Sequence, residues 1–203
     1  NKTEYRNAEG KSIDLKLKTA TNVATGILDQ YELGPYEVII LGASSRTGGL
    51  AKSFWDPAVA EKIAVHAPCS VMVTRHLEAG HGHLICTDGS ENSLKMVKKS
   101  ASLIGRTPAK RVSVMSVALD HESKAEAEGY VAEAKKILEG EGLSVRESFV
   151  RIGDPVEEII AAGADYSIIL LADSGRSGLT RFFMGSVAFK VLEHADKSVM
   201  IVR

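Results

Sequence analysis

From His83 onward the chain alternates short, solidly apolar runs with longer amphipathic ones, a pattern that predicts strands and helices in turn. His83-Leu-Ile-Cys-Thr87 is the first such run. Asp88-Gly89-Ser90 then supplies a turn and a helix start for residues 90–105. Residues 112–117 read as a second strand. The helix expected over 122–140 places Tyr130, Ala134, Ile137 and Leu138 on one face and ends at Gly140 and Gly142. A third strand over 145–152 is followed by Gly153-Asp154-Pro155, which gives a turn, an N-cap and a proline at the first helical position of a helix reaching residue 163. A fourth strand over 167–171, a helix after Ser186 and a fifth strand over 198–202 complete the series. Several strands are apolar on both faces, so the fold class is α/β, with an open parallel five-stranded sheet flanked by helices.

The upstream residues repeat the end of this series. Ile39-Ile-Leu41-Gly42 matches Ile169-Leu-Leu171-Ala172, Arg46 matches Arg176, and Val59-Ala60-Glu-Lys62 matches Val187-Ala188-Phe-Lys190. His66-Ala67-Pro-Cys-Ser70-Val71-Met72 corresponds to His194-Ala195-Asp-Lys-Ser198-Val199-Met200, and the two copies close on Arg75 and Arg203. A fixed order of matches over this length marks a duplication. It divides the chain into an incomplete, degenerate part over residues 1–78 and a complete one over 79–203. The first part is expected to hold a strand over 13–18, a helix over 21–33, and strands over 36–42 and 70–75. It has no counterpart of the Asp88 loop. A sheet without its central strands exposes backbone groups, so either residues are missing from that part or a partner completes it.

Composition narrows the function. A net charge of −1 with scattered Lys and Arg argues against a nucleic-acid surface. No apolar run approaches the roughly 20 residues that span a bilayer, and no signal-peptide pattern opens the chain, so a cytoplasmic protein without membrane insertion is expected. Cys69 and Cys86 lie in or beside strand-like runs and read as buried free thiols. His76, His81 and His83 lack an accompanying Cys or carboxylate cluster and read as part of a linker, with no metal site.

The candidate chemistry lies in Ala172-Asp-Ser-Gly175-Arg176, continuing through Gly185-Ser186-Val187. A glycine turn leaving a strand lets backbone N–H groups converge on an anion, and Gly185-Ser186 opens a helix whose positive end points the same way. Ligands of such sheets bind beyond the carboxyl ends of the strands, where the strand order reverses. If the first and fourth strands are neighbours, a nucleotide fits between Thr87-Asp88-Gly89 and residues 172–186, with phosphates on Gly175, Gly185 and Ser186 and its sugar or a metal near Asp88. There is no Ser, His and acid set at motif spacing, no Walker sequence and no complete dinucleotide fingerprint, so efficient catalysis is not expected. Slow ATP hydrolysis is the most this site would support.

These residues resemble the universal stress protein family, whose nucleotide-binding branch carries Gly, two residues, Gly, nine residues, Gly, then Ser or Thr. Gly175, the nine residues after it, Gly185 and Ser186 match that motif, and Ala172 stands where its first Gly is expected. Thr87-Asp88-Gly89-Ser90-Glu91 is similar to the end of the family's opening strand. The resemblance covers residues 83–203 throughout and 11–75 in part. It implies a strand order of 3-2-1-4-5, a backbone contact from Val117 to adenine, ATP or AMP as ligand, with Mg2+ as a companion ion, and pairing of the two final strands into a tandem pseudo-dimer with scope for further homodimerisation. In the first copy Ser45 replaces the second Gly and Trp55-Asp56 occupy the Gly-Ser region, so no phosphate site is expected there. The resulting expectation is a stress-response or regulatory protein that binds an adenine nucleotide in its second part. The alternatives are a scaffold that binds no nucleotide and a cytosolic regulatory domain of a membrane transporter.

Overall fold

A strand-like run forms a strand only where a neighbouring strand takes up at least one edge of its backbone, and the computed structural model shows which runs find one. It describes residues 5–6, 10–14, 16–42, 57–75, 80–107, 110–173 and 184–203. In chain order the elements are β1 (Tyr5–Arg6), β2 (Ser12–Ile13), α1 (Val23–Tyr31), β3 (Val38–Gly42), α2 (Pro57–His66), β4 (Ser70–Thr74) and β5 (His83–Cys86). There follow α3 (Glu91–Gly105), β6 (Val112–Ala118), α4 (Lys124–Gly140), β7 (Val145–Ile152), α5 (Pro155–Gly163), β8 (Ile168–Ala172), α6 (Ser186–His194) and β9 (Ser198–Val202).

The main sheet has seven strands, in the order β3-β4-β9-β8-β5-β6-β7, where five were expected. Its overall order therefore differs from 3-2-1-4-5. The reason is that β3 and β4 join the same sheet instead of forming one of their own. Taken alone, β5 to β9 lie with β5 central, β6 and β7 on one side, and β8 and β9 on the other. All pairs are parallel except β4 with β9, where Val71, Met72 and Val73 lie opposite Ile201, Met200 and Val199. The two final strands thus meet across an antiparallel seam.

The strand expected over 13–18 is absent from this sheet. Ser12 and Ile13 instead pair with Arg6 and Tyr5 in a short antiparallel ribbon, and Leu17 is 92% exposed. Apolar alternation at Ile13, Leu15 and Leu17 suggests a strand, but a third strand needs a second one to bond, and none is found beside it among the described residues.

Alternation along the strands builds two cores. Leu84, Cys86, Ile169, Leu171, Val199 and Ile201 face a layer that includes Ala24 of α1, Ile63 of α2, Ile159 of α5 and Val191 of α6. The intervening Ile85, Leu170, Met200 and Val202 face Met96 and Val97 of α3 and Val131 and Leu138 of α4. The first core runs continuously across the seam, which makes the β4/β9 junction an internal one.

Two arginines, one just beyond β4 and the other just beyond β9, fasten the seam. Arg75 donates to the Leu192 carbonyl of α6 at 2.6 Å, and Arg203 donates to the carbonyls of Ala64 in α2 and Cys69. Arg203 also holds the Asp173 carboxylate at 3.2 Å. Ser198 completes the arrangement by accepting from the Arg75 N–H and donating to its carbonyl, and Ser70 by accepting from the Arg203 N–H. Both cysteines are free and buried, and burial pushes each thiol above its usual range. Among the described residues, no helix is long and apolar enough to cross a membrane.

Candidate functional site

The chain reverses direction across the sheet at β5, since β6 and β8 flank it on opposite sides. That topology leaves a crevice at the carboxyl ends of these strands. A cavity of about 430 Å3 opens there. One wall is Cys86, Thr87 and Asp88 at the end of β5; the next is Met115 to Leu119 at the end of β6. Leu171 and Ala172 of β8 and Gly185 to Ala188 at the start of α6 close the far side.

The β5 loop is set by its own side chains. The Asp88 carboxylate accepts from the Ser90 backbone N–H at 3.0 Å and from the Ser90 hydroxyl at 2.6 Å, which turns the chain into α3. Ser90 in turn caps the helix by accepting from the Ser93 N–H at 3.2 Å. Thr87 and Ser93 share a buried hydroxyl contact of 2.7 Å, and Thr87 also accepts from the Gly89 N–H. Asp88 itself remains exposed at the mouth of the cavity. Gly89 has φ of +72°, and a Cβ there would stand 2.1 Å from Cδ1 of Tyr130. Glycine is required twice over: by conformation and by the ring lying against it.

At the opposite wall, Ala172 is the last residue of β8, in register with Val202. A strand position carries no need for positive φ, so the backbone accepts alanine in place of glycine, and the difference is one methyl group at the cavity wall. Gly185 is the N-cap of α6 at φ −60° and ψ 147°, and it offers no side-chain cap. That conformation suits any residue. Its N–H donates to the Asp173 carbonyl, which closes the two ends of the intervening segment on one another. The N–H groups left over at a helix start are those behind the cap, here Ser186, Val187 and Ala188. They point out of the positive end of α6, into the cavity they help to line.

Thr87, Asp88, Val117, Ala172, Gly185, Ser186 and Val187 therefore converge on one cavity, and Gly89 lies just behind it. Gly175 and Arg176 fall outside the described residues. So do Ser45, Arg46, Trp55 and Asp56.

Several wall residues escape a reading of the sequence. Tyr130 and Glu126 of α4 and Pro155 and Ile159 of α5 lie along the cavity, with the Tyr130 hydroxyl donating to the Glu126 carboxylate. Spacing along α4 marks Tyr130 as a core residue. The signal for a different role was the pairing of an exposed Glu one turn before a Tyr. Leu119, one residue beyond β6, lines the cavity yet is 71% exposed. A large apolar side chain standing open beside a polar crevice marks a contact surface more than a core.

The sequence pattern of the universal stress protein family matches residues 83–203. Universal stress protein MJ0577 of Methanocaldococcus jannaschii is 32% identical over 80 residues, which cover 38% of this chain. The chain thus spans about half, 49%, of the length of the curated relative it matches. The solved structure of MJ0577 superposes with a TM-score of 0.51 at 27% identity, covering 60% of this chain and 94% of that one. A universal stress protein from Archaeoglobus fulgidus superposes with a TM-score of 0.61 over 89% of this chain and 64% of its own, at 16% identity, a likeness of fold. With the match extending over more than half of its length, the chain belongs to the universal stress protein family.

Proposed function

We propose that this protein binds an adenine nucleotide, AMP or ATP, in the cavity at the carboxyl ends of β5, β6 and β8, and acts as a regulatory nucleotide sensor. The observation that carries the reading is the convergence of three elements with complementary chemistry on one crevice. The N-terminal turn of α6 supplies N–H donors for phosphate, the β5 loop supplies Thr87 and Asp88 for the sugar, and the β6 end supplies an apolar wall at Val117 and Leu119 for the base. Charge-assisted N–H contacts contribute about 1.5–3 kcal/mol each. A few of them, with the base buried, are sufficient for a micromolar complex, which requires about 8 kcal/mol.

Gly175 and Arg176 complete the phosphate side in this reading, with Gly185 leaving space for the phosphate to approach. Asp88 is the carboxylate that would hold Mg2+ together with nucleotide phosphates, the ion keeping several waters as it commonly does. Binding without efficient turnover fits the wall. Its one acid on the β5 loop is engaged in starting α3, and the Cys86 thiol is held neutral by burial. The seam at β4 and β9 supports the duplicated, pseudo-dimeric organisation over residues 1–78 and 79–203, with the first copy carrying no site of its own.

Calorimetric titration of the protein with AMP, ATP and a cyclic dinucleotide tests the reading, alongside a Gly185→Trp variant. Micromolar binding of AMP or ATP that the variant loses is the expected result. Absence of heat with every nucleotide overturns it and favours a scaffold.

A further inference from the structure

Asp173, the first residue after β8, is held through both its backbone and its side chain. Its carbonyl accepts from the N–H of Gly185, the N-cap of α6. Its carboxylate lies 3.2 Å from Nε of Arg203, just beyond β9. The other two nitrogens of that guanidinium serve a different part of the chain: Nη1 donates to the Cys69 carbonyl at 3.2 Å, and Nη2 donates to the Ala64 carbonyl. Ala64 lies in the last turn of α2, where carbonyls lack a partner within the helix and a cation is favoured. Arg203 is largely buried, with 12% of its side chain exposed, so its pair with Asp173 is screened by salt less than a pair on the surface.

A planar guanidinium with all three nitrogens engaged is fixed in its orientation. Neither Arg203 nor Asp173 lines the cavity, yet the latch between Asp173 and Gly185 sets where α6 begins, and Gly185, Ser186, Val187 and Ala188 do line it.

We propose that Arg203 is a positioning residue for the phosphate side of the cavity, holding Asp173 where its carbonyl latches Gly185 and so aiming the first turn of α6 at the ligand. The identity of that ligand rests on the nucleotide reading above. Converging N–H groups bind an anion well only when they are fixed beforehand, so the phosphate is the part of the ligand that depends on this tie. The base and sugar meet β6 and the β5 loop, which lie on the other side of β8 from Arg203. Through Arg203, Ala64 and Cys69 support a site that they do not touch.

Amide NMR titrations with AMP and with adenosine separate positioning from a general loss of stability. Arg203→Gln is expected to weaken AMP binding about tenfold or more and to leave adenosine binding within about twofold. Asp173→Asn keeps the shape of the side chain and removes its charge; it gives the same selective loss, and the double variant loses no more than either single one. Hydrogen exchange of the unliganded protein reads the tie without any ligand, and the Gly185 amide should exchange about tenfold faster in each variant. Equal weakening of AMP and adenosine, unchanged AMP affinity, or unchanged Gly185 exchange each overturns the proposal. A parent protein that binds neither ligand, while Gly185 exchange still responds to both variants, sinks the nucleotide reading and supports the tie.

Discussion

Gly89 shows how one residue without a side chain fixes two parts of the site at once. Its φ of +72° and its 2.1 Å clearance to the Tyr130 ring leave no room for a methyl group. Gly89→Ala should cost about 1–3 kcal/mol and move Tyr130 from the cavity wall. Thermal unfolding would register the loss, and a double-mutant cycle with Tyr130→Ala should recover part of it, since the clash disappears but the strained φ remains. Ala172 behaves differently. Because it is a strand residue, Ala172→Gly should lower stability by about 0.5–1 kcal/mol and leave nucleotide binding intact, whereas Ala172→Leu should fill the cavity and abolish the binding heat. A third effect belongs to His83, buried with Nδ1 3.2 Å from the Arg111 carbonyl. Burial holds its imidazole below the usual value. The unfolded chain therefore takes up the proton first, so the stability His83 contributes is present above about pH 6.5 and is lost as the pH falls below it. Urea midpoints measured at pH 7.5 and 5 should show this drop, and His83→Gln should reduce it.

Among the elements, those whose signals are local were legible in the sequence, and those that depend on a neighbour were not. Asp154 and Pro155 announce α5, and the Asp154 carboxylate accepts from the N–H groups of Val156 and Glu157 as an N-cap should. Asp154→Ala should cost about 1 kcal/mol, read as a shift in the denaturation midpoint. β5, β8 and β9 were equally plain, each a short apolar run beside turn residues. Residues 13–18 alternate apolar and polar positions, also a strand signal, yet among the described ones only Ile13 pairs, with β1 outside the main sheet, because alternation specifies a face and says nothing about whether a partner edge exists. Tyr130 and Leu119 were missed at the site for a related reason. Their places on the cavity wall follow from how α4 and the end of β6 lie against the β5 loop, which neither spacing nor composition encodes.

At the scale of the whole molecule, the pairing of β4 with β9 is what the family resemblance implies, while neither it nor the repeat implies the number of strands in one sheet. A single core layer crosses that seam; Arg75, beyond β4, is tied to α6, and Arg203, beyond β9, is tied to α2. Residues 1–78 and 79–203 should therefore unfold together. Calorimetry should give one transition with equal calorimetric and van't Hoff enthalpies, and two separated transitions would show that the seam does not couple them. The central claim is that a nucleotide occupies the crevice beside β5, held by three elements far apart in sequence. Its most direct test is a backbone amide NMR titration with AMP. The account predicts saturable shifts concentrated at Thr87 to Gly89, Val117 to Leu119 and Gly185 to Val187, with β3 and β7 unaffected; amides that stay in place at these three segments while AMP reaches millimolar concentration would contradict it.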